Sequence, residues 1–202
     1  MGGIRDHIQE GPVHTRSMDI RTYPAKDGRL VVEGRLRDER LVPGTRWDGR
    51  IDSPGVIHHM VLRFLMKRWP PVILEVEADM QSVPNELCPT TLDAVQRLVG
   101  LAVVPGYGKA VQERIGGVEG CTHLAHLAGV MGMAALHGAW MQQRREPQPL
   151  PASPEDIPGI EQLVNSCRLW REDGPILKAF RKELEDLQRS AGGTGGEECG
   201  SR

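Results

Sequence analysis

The side-chain period changes near Cys88, and that change decides what this chain can fold into. Before it, apolar residues recur at every second position. Arg29-Leu30-Val31-Val32-Glu33-Gly34-Arg35-Leu36-Arg37 alternates apolar with charged residues after an Asp27-Gly28 turn signal. Met18-Asp19-Ile20-Arg21 alternates ahead of it, so the two runs predict a hairpin. Val56 to Lys67 is a second extended run, and Trp69-Pro70-Pro71 forces a turn. In the next run Val72, Leu74, Val76, Ala78 and Met80 share one face, and Glu75, Glu77 and Asp79 the other. These runs predict an antiparallel sheet of about four strands with one buried face. The three alternating carboxylates read as its solvated side, with a cation site as the alternative. Pro43-Gly44 and Trp47-Asp48-Gly49-Arg50 read as loop.

From Pro89 to Glu146 the period is helical. Leu92, Val95, Leu98 and Val99 form a stripe that ends at Gly100, a C-terminal cap. Ala110, Val111 and Ile115 form a shorter stripe. A third helix is expected from about Thr122 to the Gln142-Gln143-Arg144-Arg145 region. It is apolar over much of its circumference, which predicts a central place against the sheet. A last helix has Pro175 in its first turn and Leu177, Phe180, Leu184 and Leu187 on one face.

Strands first and helices afterwards make the chain α+β. The expected architecture is a sheet in the N-terminal half, packed on one face by three or more helices, with a C-terminal helix. The expected organisation is a single core domain over 13–146, a Pro-rich linker over 147–159, a helical segment over 160–190 packing on the core, and a disordered tail over 191–202.

A length of 202 residues with 39% hydrophobic composition supports one ordinary core. The formal net charge of −2 argues against a nucleic-acid binder or a binder of membrane surfaces. No apolar run reads as a bilayer span, and the first residues lack the apolar core of a secretory signal. With four Cys and no export signal, the thiols are expected to be free or metal-bound and the protein cytoplasmic. Walker, Rossmann, nucleophile-elbow and zincin signatures are absent from the sequence.

Gly116-Gly117-Val118-Glu119-Gly120-Cys121-Thr122-His123 carries the chemistry. It sets a thiol and an imidazole where a helix begins, and a helix N-terminus stabilises a thiolate. Inside a regular helix two residues this close diverge by about 200°. They converge if Cys121 lies in the turn or at the cap. A second thiol, Cys88, precedes another helix in Leu87-Cys88-Pro89. Convergence of Cys88, Cys121 and His123 gives a sulfur–nitrogen set suited to zinc or iron. The alternative is a buried small thiol beside a satisfied core histidine. His58 shares its strand face with Met60, Leu62 and Phe64, so it is either a hydrogen-bonded core histidine or a site residue. His59 faces the other way, and the two cannot ligate one ion. His14 reads as a surface strand-end residue, and Cys167 as an anchor for the last helix or a third thiol of the site. His126 and His137 read as structural or solvent-facing.

These elements together resemble the bacterial family filed as domain of unknown function 2889. They are His14-Thr15-Arg16 with Tyr23, Asp27-Gly28, Glu33-Gly34 and Asp38, Ile57-His58-His59-Met60, Cys88-Pro89, Leu98-Val99-Gly100, Gly106-Tyr107, Gly116 to Leu124, and Cys167 with Trp170 and Asp173-Gly174. The resemblance covers about Val13 to Phe180. It implies that His14, His58, Cys88, Cys121, His123 and Cys167 are the positions to watch. The family's pattern has Asp where this chain has His59, which weighs against a role for His59. The resemblance also implies an association with aromatic or acyl-CoA catabolism. A fainter topological likeness is to iron–sulfur scaffold proteins of the NifU-like type.

Three functions fit the sequence. The first is a transition-metal site (zinc or iron) or an iron–sulfur site, with Cys88, Cys121, His123 and His58 as ligands and Cys121 and His123 as catalytic residues. The second is a metal-free thiol at Cys121, activated by His123 for attack on a thioester or persulfide. The third is a non-catalytic binding or assembly subunit. The expected partner is a small-molecule substrate or a partner enzyme, with no nucleic acid and no membrane.

Overall fold

The described residues of the computed structural model are 2–192. Most of the expected tail, Cys199 included, lies outside them. β1 (His14–Pro24) and β2 (Leu30–Arg40) form the expected hairpin. Asp27 and Gly28 supply the positive φ its turn requires, at 57° and 68°. A short ribbon, β3 (Gly44–Thr45) with β4 (Ile51–Asp52), forms where the sequence predicts loop. It leads to β5 (Gly55–Lys67) and β6 (Val72–Ser82). The four long strands make one antiparallel sheet in the order β1-β2-β5-β6.

On the core face lie Leu30, Val32, Leu36, Met60, Leu62, Phe64, Met66 and Val76, all buried. β6 departs from the predicted alternation. A register shift lets Glu75 pair with Leu65 while Ile73 pairs with Met66, so Leu74 is an extra residue in the ladder. Ile73 is therefore fully buried, and Leu74, expected inside, is 38% exposed. Glu75, Glu77 and Asp79 are exposed, as a solvated face requires.

The helical half covers this face. Cys88–Leu98 winds as 3-10 turns where the stripe predicts an α-helix. The hydroxyls of Thr90 and Thr91 donate to the carbonyls of Leu87 and Cys88, each three residues back, at 2.7 and 2.8 Å. These local bonds favour the tighter winding. α1 (Tyr107–Ile115) and α2 (Thr122–Gln143) follow. α2 contacts β1, β2 and β5, and Leu124, Leu127, Ala128, Met131 and Ala135 are buried along it. It meets the length and hydropathy of a membrane span, contrary to expectation, and half of its most apolar window is buried inside the fold.

The chain divides into two compact units, Met1–Gln143 and Arg144–Arg202. In the second, α3 (Pro175–Gly192) buries Leu177 and Leu184, Arg181 pairs with Glu155 at 3.2 Å, and Trp170 meets Phe180 edge to face.

α2 packs tightly against the sheet at Gly34. A Cβ there would lie 2.6 Å from Met131 Sδ and 3.0 Å from Leu127 Cδ1. Both side chains are fully buried and have no free volume to yield. Gly34→Ala is expected to destabilise the protein by about 1–3 kcal/mol in urea unfolding, and Met131→Ala in the same chain to recover part of that loss. Independent, additive effects would show that the contact does not limit packing.

Candidate functional site: an Arg-Asp-His-His cluster at the sheet end

The site begins as a row across three strands. Arg16 on β1 pairs in register with Asp38 on β2, and Asp38 pairs with His58 on β5. Directly opposed residues on one face bring their side chains together. Asp38 holds the next core-face position after Leu30, Val32, Gly34 and Leu36. It is 2% exposed, the one buried polar or charged side chain among the described residues. The ladder shifts register immediately after it, between Asp38 and Glu39.

Asp38 is the hub. Arg16 donates from Nε to Oδ1 at 2.5 Å and from Nη2 to Oδ2 at 2.6 Å, a bidentate pair. His58 Nδ1 lies 3.0 Å from Oδ2 and His123 Nε2 lies 3.7 Å from the same oxygen. His14 Nε2 stands 3.8 Å from Oδ1. The rings of His58 and His123 are stacked at 3.9 Å between centroids, tilted by 33°.

His123 reaches the sheet because of how α2 starts. The Cys121 carbonyl accepts the N–H of Ala125 at 2.9 Å, so Cys121 is the cap residue and His123 lies in the first turn. Gly120 brings the turn in close: a Cβ there would lie 2.8 Å from the Ile115 carbonyl oxygen and 3.1 Å from Ala94 Cβ. Arg97 clamps the same turn, donating to the Glu119 carboxylate at 2.7 Å and to the Glu119 carbonyl.

The structure brings together two of the four expected metal ligands, His58 and His123, and adds a carboxylate. Asp38, His58 and His123 each offer one ligand atom, all within 4.8 Å of one another. That group contains no sulfur. Cys121 Sγ lies 4.0 Å from His123 Nδ1, on the other side of the ring from the nitrogen that faces Asp38. Cys88 opens the 3-10 segment, where its N–H donates to the Asn85 carbonyl. Cys167 is exposed, in the second unit. His59 pairs with Arg37, on the face opposite His58. Sequence reasoning proposed no role for Asp38 or Arg16. The available signal was the period itself, since a carboxylate at the fifth core position of a strand needs a partner.

Charge sets the protonation states. The Arg16 hydrogen bonds hold the Asp38 carboxyl below its ordinary value despite burial, and His58 adds to the effect. His123 is pushed below the ordinary imidazole value, first by burial and then by its electrostatic interactions with His58 and Arg16, with Asp38 partly opposing. The result is an ionised carboxylate beside a neutral ring. Both are forms that bind a metal ion. Two ligands 2.1 Å from a shared ion sit about 3.0 Å apart at 90° and about 3.4 Å apart at 109°. The 3.0 Å separation of His58 Nδ1 from Asp38 Oδ2 is also a hydrogen-bond distance, and the 3.7 Å separation of His123 Nε2 is wider than both values.

The pattern of the family described as "Protein of unknown function (DUF2889)" matches residues 14–137, from the histidine of β1 to the last third of α2. The chain belongs to DUF2889. No curated protein and no solved structure matches. The matched span contains Arg16, Asp38, His58, Cys121 and His123.

His123 makes metal-free stability depend on pH. Its folded pKa lies below the ordinary 6.5, so the unfolded chain takes up a proton that the folded ring refuses. That contribution to stability is complete above about pH 6.5 and falls as the pH drops toward the folded value. In EDTA-treated protein, the urea midpoint is expected to fall more between pH 7 and pH 5 for the wild type than for His123→Gln. Equal falls would show that His123 is solvated like a free imidazole.

Proposed function

We propose that this DUF2889 protein is a metalloenzyme acting on a small molecule, with a single transition ion, zinc or iron(II), held by Asp38, His58 and His123. One observation carries the proposal: two imidazole nitrogens and one carboxylate oxygen lie within 4.8 Å of one another on three elements of the fold. Two nitrogens and an oxygen from protein leave coordination positions open, the pattern of catalytic zinc and of non-haem iron. An ion there supplies a Lewis acid and lowers the pKa of bound water.

The chain's own residues have separate tasks. Arg16 fixes the carboxylate plane and keeps it ionised, and a carboxylate has lone pairs left after a bidentate Arg pair. Burial keeps His123 neutral, with Nε2 facing the site. His14, 46% exposed and beside Asp38, is suited to carry protons between the site and solvent. The substrate class taken from the family resemblance is an aromatic or acyl-CoA intermediate.

A second function draws on the contact between Cys121 Sγ and His123 Nδ1. There, without a metal, His123 takes the thiol proton, Cys121 attacks the thioester carbonyl to form an acyl-cysteine, and the substrate's thiolate leaves with the proton from His123.

Metal binding separates the two. Untagged protein incubated with zinc or, anaerobically, iron(II) is expected to retain about one equivalent of metal after desalting, and to melt at a higher temperature than after EDTA treatment. Asp38→Ala, His58→Ala and His123→Ala are each expected to retain less than about a tenth as much and to show no metal-dependent shift. Wild-type protein that retains less than about a tenth of an equivalent of either metal, or variants that bind like the wild type, would overturn the metal centre. In the first case, fast alkylation of Cys121 at neutral pH would support the thiol.

A further inference from the structure

β1 is an edge strand of eleven residues. It pairs with β2 over its whole length with no bulge, and among the described residues its other edge has no strand neighbour in the sheet. Nine of its eleven residues are exposed, including Met18 at 39% and Tyr23 at 43%. A long, unbulged edge is a template for another strand.

The charges on its solvent face say which strand. Across the open face of the sheet, Arg21 stands opposite Glu33, Glu33 opposite Arg63, and Arg63 opposite Glu77. One row therefore alternates positive, negative, positive, negative. In the neighbouring row Asp19 stands opposite Arg35. The β1 ends of the two rows carry opposite charges two residues apart. An antiparallel copy of β1 centred on Ile20 sets Asp19 against Arg21 of the second copy, and Arg21 against its Asp19. Both rows then continue their alternation across the junction. Centring on Asp19 or on Arg21 instead sets like charges face to face. On the core side, the same register joins Ile20 to Ile20 and covers exposed Met18 with Thr22 of the second copy. It spans Arg16 to Pro24 and ends where proline has no N–H to offer.

We propose that β1 pairs antiparallel, about Ile20, with β1 of a second copy of this chain, joining two four-stranded sheets into one. Arg16 then falls opposite Pro24 of the second copy, at the end of the paired span. The proposal does not depend on the metal centre, because Asp19 and Arg21 lie on the face of β1 opposite Arg16.

Sedimentation of the untagged full chain tests it. Wild type is expected to dimerise between about 1 and about 100 µM, a range in which modest affinities are visible. Asp19→Arg and Arg21→Asp each replace two cross-copy attractions by two repulsions, and each variant alone is expected to dimerise at least about tenfold more weakly. Mixing the two variants restores both attractions. One chain then presents a base at both positions and the other an acid at both, so every cross-copy pair again joins opposite charges. The mixture is expected to return to near wild-type affinity. Both side chains are more than half exposed, so the variants should keep the fold, and circular dichroism checks that they do. Wild-type protein that stays monomeric throughout, variants that dimerise like the wild type, or a mixture that does not recover would each overturn the pairing.

Discussion

The bidentate pair between Arg16 and Asp38 is the interaction on which the site depends. A carboxylate at a core position of a strand is costly unless its oxygens are satisfied. Asp38 solves this asymmetrically. The acid is 2% exposed, whereas the guanidinium that holds it is 39% exposed and stays partly hydrated. Only one of the two charges bears most of the desolvation. The paired, ionised carboxylate then becomes the anchor around which three imidazoles gather.

Sheet register and helix entry each deliver half of the cluster. Arg16, Asp38 and His58 meet because they are consecutive rungs of one antiparallel row, and the ladder that aligns them is fixed by the apolar residues further along β2 and β5. A slip of one residue would send Asp38 to the solvent face. His123 arrives separately, from the first turn of α2, and its position is set by the Gly120 approach and the Arg97–Glu119 clamp. The close contact of Gly34 with Met131 seats the same helix on the sheet. The packing that holds the core therefore also fixes the distances in the site.

How much of this the sequence reveals follows from what kind of information a pattern holds. Periodicity is local, so the β1–β2 hairpin, the strand face of His58 and the start of α2 are legible from residues a few positions apart. Local pattern fails at Leu74, where one inserted residue reverses the facing of Ile73 without any compositional sign. It fails again at Cys88–Leu98, where two threonine hydroxyls shift the balance between two helix types. The site is harder, because its members lie on β1, β2, β5 and α2. Histidine and cysteine attract attention as ligands wherever they stand, so His58, His123 and Cys121 stand out. Asp38 and Arg16 are ordinary residues made special by register. The period that marks Leu30, Val32 and Leu36 as core extends to Asp38, and reading it two residues further would have placed the carboxylate in the interior.

The electrostatics of the cluster also bear on which chemistry suits it. An acid catalyst in a buried site needs a raised carboxyl pKa or a protonated imidazole near neutrality. Here the opposite holds. Arg16 lowers the Asp38 pKa, and burial, helped by the field of Arg16, lowers that of His123. Both shifts favour lone pairs over protons at the two atoms that face each other across 3.7 Å. Unprotonated donors converging on one point are repelled by one another and attract a cation. A proton is the smallest cation that could fill the point, but two lowered pKa values mean that the site holds it weakly. The positive field of Arg16 that contributes to both shifts opposes a metal ion as well, so in the proposed metal centre the direct bonds from the three donors must outweigh that repulsion.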